Sequence, residues 1–228
     1  MPKILVTGGT GYIGSHTVVE LLEEGMEVVI IDNLSNSERE VLDGITSITK
    51  KKPHFEEVDL RDRLATFRVF DLHPDIEAII HFAALKAVGE SVEKPLDYYE
   101  NNLLSLIHLL EAMKLFNVDH LVFSSSCTVY GEPDVLPVSE KAPLKKANSP
   151  YGNTKQICED ILQDTIRSTK GKGVISLRYF NPIGAHPSAK IGELPLGTPN
   201  NLVPFITQTA AGIRECLSVF GDDYNTPD

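Results

Sequence analysis

The 228-residue chain is long enough to bury a sizeable core, and its 42% hydrophobic and 23% charged residues are ordinary globular proportions. A formal net charge of −11 argues against a nucleic-acid or anionic-membrane surface, so any phosphate it binds must be held locally. The three cysteines, Cys127, Cys158 and Cys216, show neither paired nor metal-ligand spacing, and inert thiols in a reducing compartment are expected. Met1 leads directly into a strand-like run and no apolar stretch is long enough to span a bilayer, so the expected location is cytoplasmic.

Residues 3–7 (Lys-Ile-Leu-Val-Thr) read as a buried strand, followed at once by Gly8-Gly9-Thr10-Gly11-Tyr12-Ile13-Gly14. Ile13, Val18, Leu21 and Leu22 then recur at helical spacing until Gly25. A glycine-rich strand-to-helix turn lets the backbone approach a pyrophosphate, whose charge faces the helix N-terminus, so Gly8, Gly11 and Gly14 are candidate dinucleotide contacts. Residues 28–32 form an apolar strand ending in Asp32, about twenty residues after the loop, where a carboxylate accepts from the adenosine ribose hydroxyls and repels a 2′-phosphate. No Arg or Lys follows until Arg39, and NAD is favoured over NADP.

The alternation continues with a weak strand at 55–58 before Asp59-Leu60, a helix at 61–70 and a strong strand at 76–82 running into Ala83-Ala84. Next come a helix over 95–116 with Leu103, Leu106, Ile107 and Leu110 on one face, a strand at 120–124, a helix over 151–169 and a strand at 174–179. Lys50-Lys51-Lys52 reads as a solvated turn. Strands alternating with helices predict an α/β fold, a doubly wound, Rossmann-like parallel sheet with ligands at the C-terminal strand ends. Those ends carry the glycine loop, Asp32, Asp59, Ala83-Ala84, Ser124-Ser125-Ser126 and Tyr179-Phe180-Asn181.

The chemistry converges on Ser149-Pro150-Tyr151-Gly152-Asn153-Thr154-Lys155. Ser149 is a candidate N-cap, Pro150 a first helical residue, and Tyr151 and Lys155 share one helix face. A free phenol, with a pKa of about 10, is a poor base at neutral pH. A lysine ammonium about 5 Å away supplies roughly 3 kcal/mol, a little over two pKa units, and an oxidised nicotinamide cation is expected to supply the rest.

The loop at residues 7–14, the Ser124-Ser125-Ser126 strand end and Tyr151-x-x-x-Lys155 together resemble the extended short-chain dehydrogenase/reductase superfamily. Within it, Gly14-Ser15-His16-Thr17, Asp32-Asn33-Leu34-Ser35-Asn36-Ser37, Leu85-Lys86-Ala87-Val88-Gly89-Glu90-Ser91, Ser126-Cys127-Thr128-Val129-Tyr130-Gly131 and Arg178-Tyr179-Phe180-Asn181-Pro182-Ile183-Gly184 are similar to the UDP-glucose 4-epimerase family, over the whole chain. The resemblance implies Tyr12 and Ile13 on the NAD pyrophosphate, Asp32, Asn33, Leu34, Ser35, Asn36 and Ser37 around the adenosine ribose, and Asp59 and Leu60 near adenine. It implies Phe82, Ala83, Ala84, Lys86 and Asn101 along the nicotinamide half, with Phe180 also at the cofactor. Ser126 would bind the reacting sugar hydroxyl, Tyr151 would be the base and Lys155 its electrostatic partner. Lys86, Phe180, Asn181, Asn201, Leu202 and Phe220 would contact the UDP-sugar.

The implied activity is interconversion of UDP-glucose and UDP-galactose on tightly bound NAD, with no metal, in a homodimer formed through the helices over 95–116 and 151–169. Residues 1–181 would form the NAD-binding domain and 182–228 the beginning of an incomplete substrate lobe, since the family continues further; the chain would then be a fragment or a shortened form. Departures are Ala84 for a common glycine, Cys127 for alanine and Leu194 for an acidic residue. A 4,6-dehydratase is disfavoured because Val129-Tyr130, not Asp-Glu, follows Thr128. A catalytically silent NAD-binding module is the remaining alternative.

Overall fold

In the computed structural model, which describes residues 1–169, 171–219 and 221, β1 (Lys3–Thr7), β2 (Glu27–Asp32), β3 (His54–Glu57), β4 (Ile76–His81), β5 (His120–Ser126) and β6 (Gly173–Tyr179) form one sheet. The order is β3-β2-β1-β4-β5-β6 and every pairing is parallel. The chain therefore winds outward from β1, returns to lay β4 against β1's other edge, and winds outward again. The reversal leaves a crevice between the C-terminal ends of β1 and β4, where doubly wound sheets hold ligands.

Successive side chains of a strand point to opposite faces, and both faces here are covered. Leu5, Val29 and Ile31 pack with α3 (Arg63–Leu72), α5 (Pro95–Leu115) and α6 (Pro150–Ser168) through Phe70, Leu106, Leu109 and Leu162. Ile4, Val6, Val28 and Ile30 face the other way, against Val18 and Leu22 of α1 (Tyr12–Glu23) and Ile45 of α2 (Val41–Thr49). The short α4 (Val88–Glu93), a 3-10 turn at Cys127–Tyr130 and α7 (Leu202–Ala210) complete the described elements.

Every strand and helix expected from periodicity is present, with ends moved by a residue or two. β5 runs on to Ser126 because Ser124, Ser125 and Ser126 pair with Leu177, Arg178 and Tyr179 of β6. Sequence reading did not anticipate α2, α4, the 3-10 turn or α7. In α2 helix propensity is lowered by Gly44 and by β-branched residues, yet the segment is held by burial of Ile45 with Val41, Leu42 and Ile48 packed on the same core.

Gly44 itself is a contact point. A Cβ there would lie 2.7 Å from the Lys190 carbonyl and 3.0 Å from Ile191 Cγ2. Residues 185–192 turn back through an Ala185–Gly192 antiparallel bridge and a His186 N–H bond to the Ile191 carbonyl (3.1 Å). Ile191, 6% exposed, enters the β1–β2 core beside Ile45. At the far edge, β6 leaves Ile175 60% and Leu177 38% exposed. No helix among the described residues is long and apolar enough to cross a membrane, and no His/Cys/Asp/Glu cluster among them could hold a metal ion.

Candidate active site

The expected helix start is present. The Ser149 hydroxyl accepts the Gly152 N–H (3.1 Å), and Pro150 opens α6. One turn apart, Tyr151 and Lys155 are both buried, with Lys155 Nζ 5.9 Å from the Tyr151 ring centroid. Nζ donates to the Ser124 carbonyl (2.8 Å) and stands 4.9 Å from the Phe123 ring centroid. Ser126 ends β5 in extended conformation, its hydroxyl accepting the Thr128 N–H (3.3 Å) and making a polar contact with the Tyr151 phenol. Ser126, Tyr151 and Lys155 thus meet at one strand end.

The electrostatics correct the simple charge argument. Burial pushes the Tyr151 phenol above its ordinary value, and the Ser126 contact only partly opposes this. Burial also pushes the Lys155 ammonium down, to about 8. Lys155 stands over the phenol's ring with an N–H donated to the Ser124 carbonyl and is not among the groups that shift the phenol, so lysine proximity alone does not make Tyr151 basic and burial sets the direction. For this phenol to ionise near neutrality, a further cation at the ring would be required. The Cys127 thiol, half-buried, is also raised by burial, in keeping with an inert residue.

Beneath the crevice lies a second set of contacts. His81 Nδ1 is 2.6 Å from Thr7 Oγ1, which also accepts the Ala83 N–H (3.3 Å), tying the ends of β4 and β1 together. Burial, then the nearby Lys155 charge, hold the His81 imidazole neutral with a pKa of about 3. Asn102, 3% exposed, pairs through Oδ1 and Nδ2 with the N–H (2.9 Å) and C=O (3.0 Å) of Leu85, and also donates to Thr154 Oγ1 (3.1 Å). Thr154 donates in turn to the Tyr151 carbonyl (2.7 Å), so one amide joins the post-β4 loop to the helix bearing Tyr151. Asn101 contributes a bond to Asn102 Oδ1 (3.0 Å).

The glycine turn is shaped for close approach. Gly8 has φ +69°, and a Cβ on it would lie 2.7 Å from the Ala83 nitrogen; one on Gly14 would strike the Gly8 carbonyl at 2.1 Å. Gly11 opens α1 with no side-chain cap, leaving backbone donors of a twelve-residue helix at the crevice. Beside it, Asp32 accepts from Thr10 N (3.2 Å), Leu34 N (3.0 Å) and Ser37 Oγ (3.3 Å), which fixes its carboxylate at the end of β2. Asn33 donates to Asp59 (3.3 Å) and accepts from Ser35 N (3.1 Å). The Arg61 guanidinium holds the Asp59 carboxyl below the usual range. Leu60 is buried and Asn36 exposed.

On the open side, the Tyr12 hydroxyl donates to the Gly184 carbonyl (2.8 Å) next to half-buried Ile13. Phe82 lies 6.4 Å from the Tyr179 ring, and Ala83 and Ala84 are half-buried. Lys86 pairs with Glu193 (3.8 Å), which also accepts from Asn201, so two expected ligand residues meet on one carboxylate. Phe180, Asn181 and Leu202 are exposed. Phe220 lies outside the described residues.

Sequence reading missed Asn102, Thr154 and Glu193, and saw His81 only as a strand end. A polar residue on the apolar face of α5 was the one local signal for Asn102; Glu193 had none.

Residues 4–222 match the model of the NAD dependent epimerase/dehydratase family. The chain is 53% identical over 226 residues to the UDP-glucose 4-epimerase of Yersinia enterocolitica and 56% identical over 225 residues to that of Bacillus subtilis (strain 168). Each alignment covers 99% of this chain, and 67% and 66% of the relatives. A Bifidobacterium longum UDP-glucose 4-epimerase in complex with NAD+ and UDP superposes with a TM-score of 0.96 at 46% identity, over 99% of this chain and 67% of that one. The Stenotrophomonas maltophila enzyme with bound NAD and formylated UDP-arabinopyranose gives 0.95 at 50% identity, over 100% and 67%. The chain thus spans about two thirds of the length of the relatives it matches. With the strand order, the glycine turn and the Ser126–Tyr151–Lys155 cluster all in place, the chain belongs to the NAD dependent epimerase/dehydratase family.

Proposed function

We propose that the chain binds NAD across the β1/β4 crevice and interconverts UDP-glucose and UDP-galactose at the Ser126–Tyr151–Lys155 cluster. The convergence of these three residues beside the glycine turn is the observation that carries this reading. Similarity to epimerases named with bound NAD and UDP supports the choice of ligands. Gly8, Gly11 and Gly14 would hold the diphosphate, Asp32 and its loop the adenosine ribose, and residues 82–86 with Asn101 the nicotinamide half. Asn181, Asn201 and Leu202, with Phe180, would face UDP and Lys86 the sugar. Bound NAD supplies a hydride acceptor and, in its oxidised form, the additional positive charge that the buried phenol lacks.

Tyr151 then takes the proton of the sugar 4-hydroxyl while Ser126 orients that hydroxyl. Lys155, anchored on Ser124, keeps a positive field over the phenolate ring. The phenol retains the proton until the oxidised sugar presents its opposite face, which requires binding energy to be concentrated on the UDP moiety and sugar contacts to be few. No net redox change occurs, so NAD stays bound through turnover. We also assign residues 1–181 to the cofactor domain and 182–228 to the start of the substrate lobe, with a homodimer formed through α5 and α6 in the cytoplasm.

Val129 and Tyr130 are buried after Thr128, offering no acid and base for dehydration, which supports epimerisation over a 4,6-dehydratase. A silent NAD-binding module is the second reading, favoured by the exposed Ile175 and Leu177 of β6. UDP-galactose conversion, assayed in parallel with a full-length counterpart, decides between the two. Conversion by the purified chain, with NAD released on denaturation, supports the epimerase; bound NAD without UDP affinity or turnover supports the silent module; absence of NAD overturns both.

A further inference from the structure

Buried side chains on three successive turns of α6 each touch one of three consecutive serines of β5. Tyr151 meets Ser126, Lys155 donates to the Ser124 carbonyl (2.8 Å), and Glu159 accepts from the Ser125 hydroxyl (2.5 Å). The third contact continues further. Glu159, 4% exposed, also takes a two-point bond from Arg178 of β6, Nε to Oε1 at 2.9 Å and Nη2 to Oε2 at 2.7 Å. Arg178 in turn donates to the Tyr130 hydroxyl (3.1 Å) and lies 4.9 Å from that ring's centroid.

A planar guanidinium joined to a carboxylate at two points fixes orientation as well as distance. Ser125 and Arg178 are partners in the β5–β6 register, and Ser126 follows immediately. The carboxylate of Glu159 therefore locks the rotation and height of α6 against the end of β5, and Tyr130 at the close of the 3-10 turn fixes the segment that Ser126 caps. The opposite charges cancel locally, so the device sets geometry with little net field on the phenol.

We infer that the Glu159–Arg178 pair, with Ser125 and Tyr130, is the positioning device that sets the Ser126 hydroxyl against the Tyr151 phenol. This rests on the proposal that Tyr151 is the base. Glu159 and Arg178 are positioning residues that touch neither sugar nor cofactor. A buried pair replaced as a pair by apolar residues of similar size often leaves stability unchanged, so the inference can be tested without unfolding the chain.

The experiment compares the wild-type chain with the charge-neutral double variant Glu159→Leu/Arg178→Met, and with the milder Ser125→Ala and Arg178→Lys. The Tyr151 phenol is titrated by ultraviolet difference, using Tyr151→Phe as the blank, alongside melting temperature and NAD content. The double variant is expected to keep its melting temperature and NAD content while its phenol midpoint rises by about half a unit or more, the loss of one hydrogen bond to the charged form. Where the chain turns over UDP-galactose, kcat falls about tenfold or more with KM within a factor of about two. Should the double variant not fold, Arg178→Lys and Ser125→Ala are expected to show the same shift at smaller size. Folded variants with an unmoved midpoint and unmoved kcat overturn the inference. A wild-type chain in which Tyr151→Phe removes no activity overturns instead the assignment of the base, so the two failures are distinguishable.

Discussion

The side chain of Asn102 pairs with both backbone groups of Leu85, as a neighbouring strand would, and uses its remaining donor on Thr154. Asn102→Asp keeps the shape but cannot donate, leaving the Leu85 carbonyl and Thr154 hydroxyl short of a partner. A loss of about 1–3 kcal/mol is expected in denaturant unfolding. Faster amide exchange at Leu85 is expected with it; a variant with unchanged exchange there would mean that Asn102 does not hold the loop.

Burial raises the Tyr151 phenol in the chain by itself, so the proposed base would need the cofactor's positive charge. Titrating the chain stripped of NAD and then reloaded should show the phenol ionising at lower pH when oxidised NAD is bound. Activity should rise with pH through that lower midpoint. Tyr151→Phe should lose turnover by about a hundredfold or more while keeping NAD. Equal midpoints with and without NAD would remove the electrostatic role given to the cofactor.

His81 stays neutral in the fold down to about 3, against 6.5 for an ordinary imidazole. Between those values the unfolded chain binds a proton that the folded chain refuses, so this group lowers stability as pH falls through that window. The loss at pH 5 is about 2 kcal/mol. His81→Asn, which can still reach Thr7, should flatten the acid slope of unfolding free energy between pH 6.5 and 5; parallel slopes would assign acid sensitivity elsewhere.

Gly44→Ala would ordinarily favour a helix by about 1 kcal/mol. Here the new methyl meets the Lys190 carbonyl at 2.7 Å, so a net loss of about 1–2 kcal/mol is expected, together with easier proteolysis within residues 185–192. A higher melting temperature would show that those residues do not press on α2.

Asp32→Ser should reduce the preference for NAD over NADP by about tenfold, or about 1.4 kcal/mol, because the anion that repels a 2′-phosphate is gone. Competitive binding of the two nucleotides reads this directly. An unchanged ratio would detach Asp32 from the ribose.

Much of the architecture was legible from local pattern. Strand and helix alternation, the glycine turn, the Ser149 cap and the four-residue spacing of Tyr151 and Lys155 depend on neighbours within a turn or two, and they stand where periodicity puts them. α2 escaped notice because Gly44 and β-branched residues lower its helix propensity; burial of Ile45, with Val41, Leu42 and Ile48 packed beside it, holds the helix.

What the linear chain determined was which groups exist and which share a helix face. The fold decided which groups from distant segments meet: Thr7 with His81, Asn102 with Leu85 and Thr154, Ser125 and Arg178 with Glu159, Lys86 and Asn201 with Glu193. It also decided the direction in which Tyr151 titrates. Spacing fixes how near a lysine lies, but desolvation depends on everything packed around the phenol, and that is a property of the whole sheet and its helices.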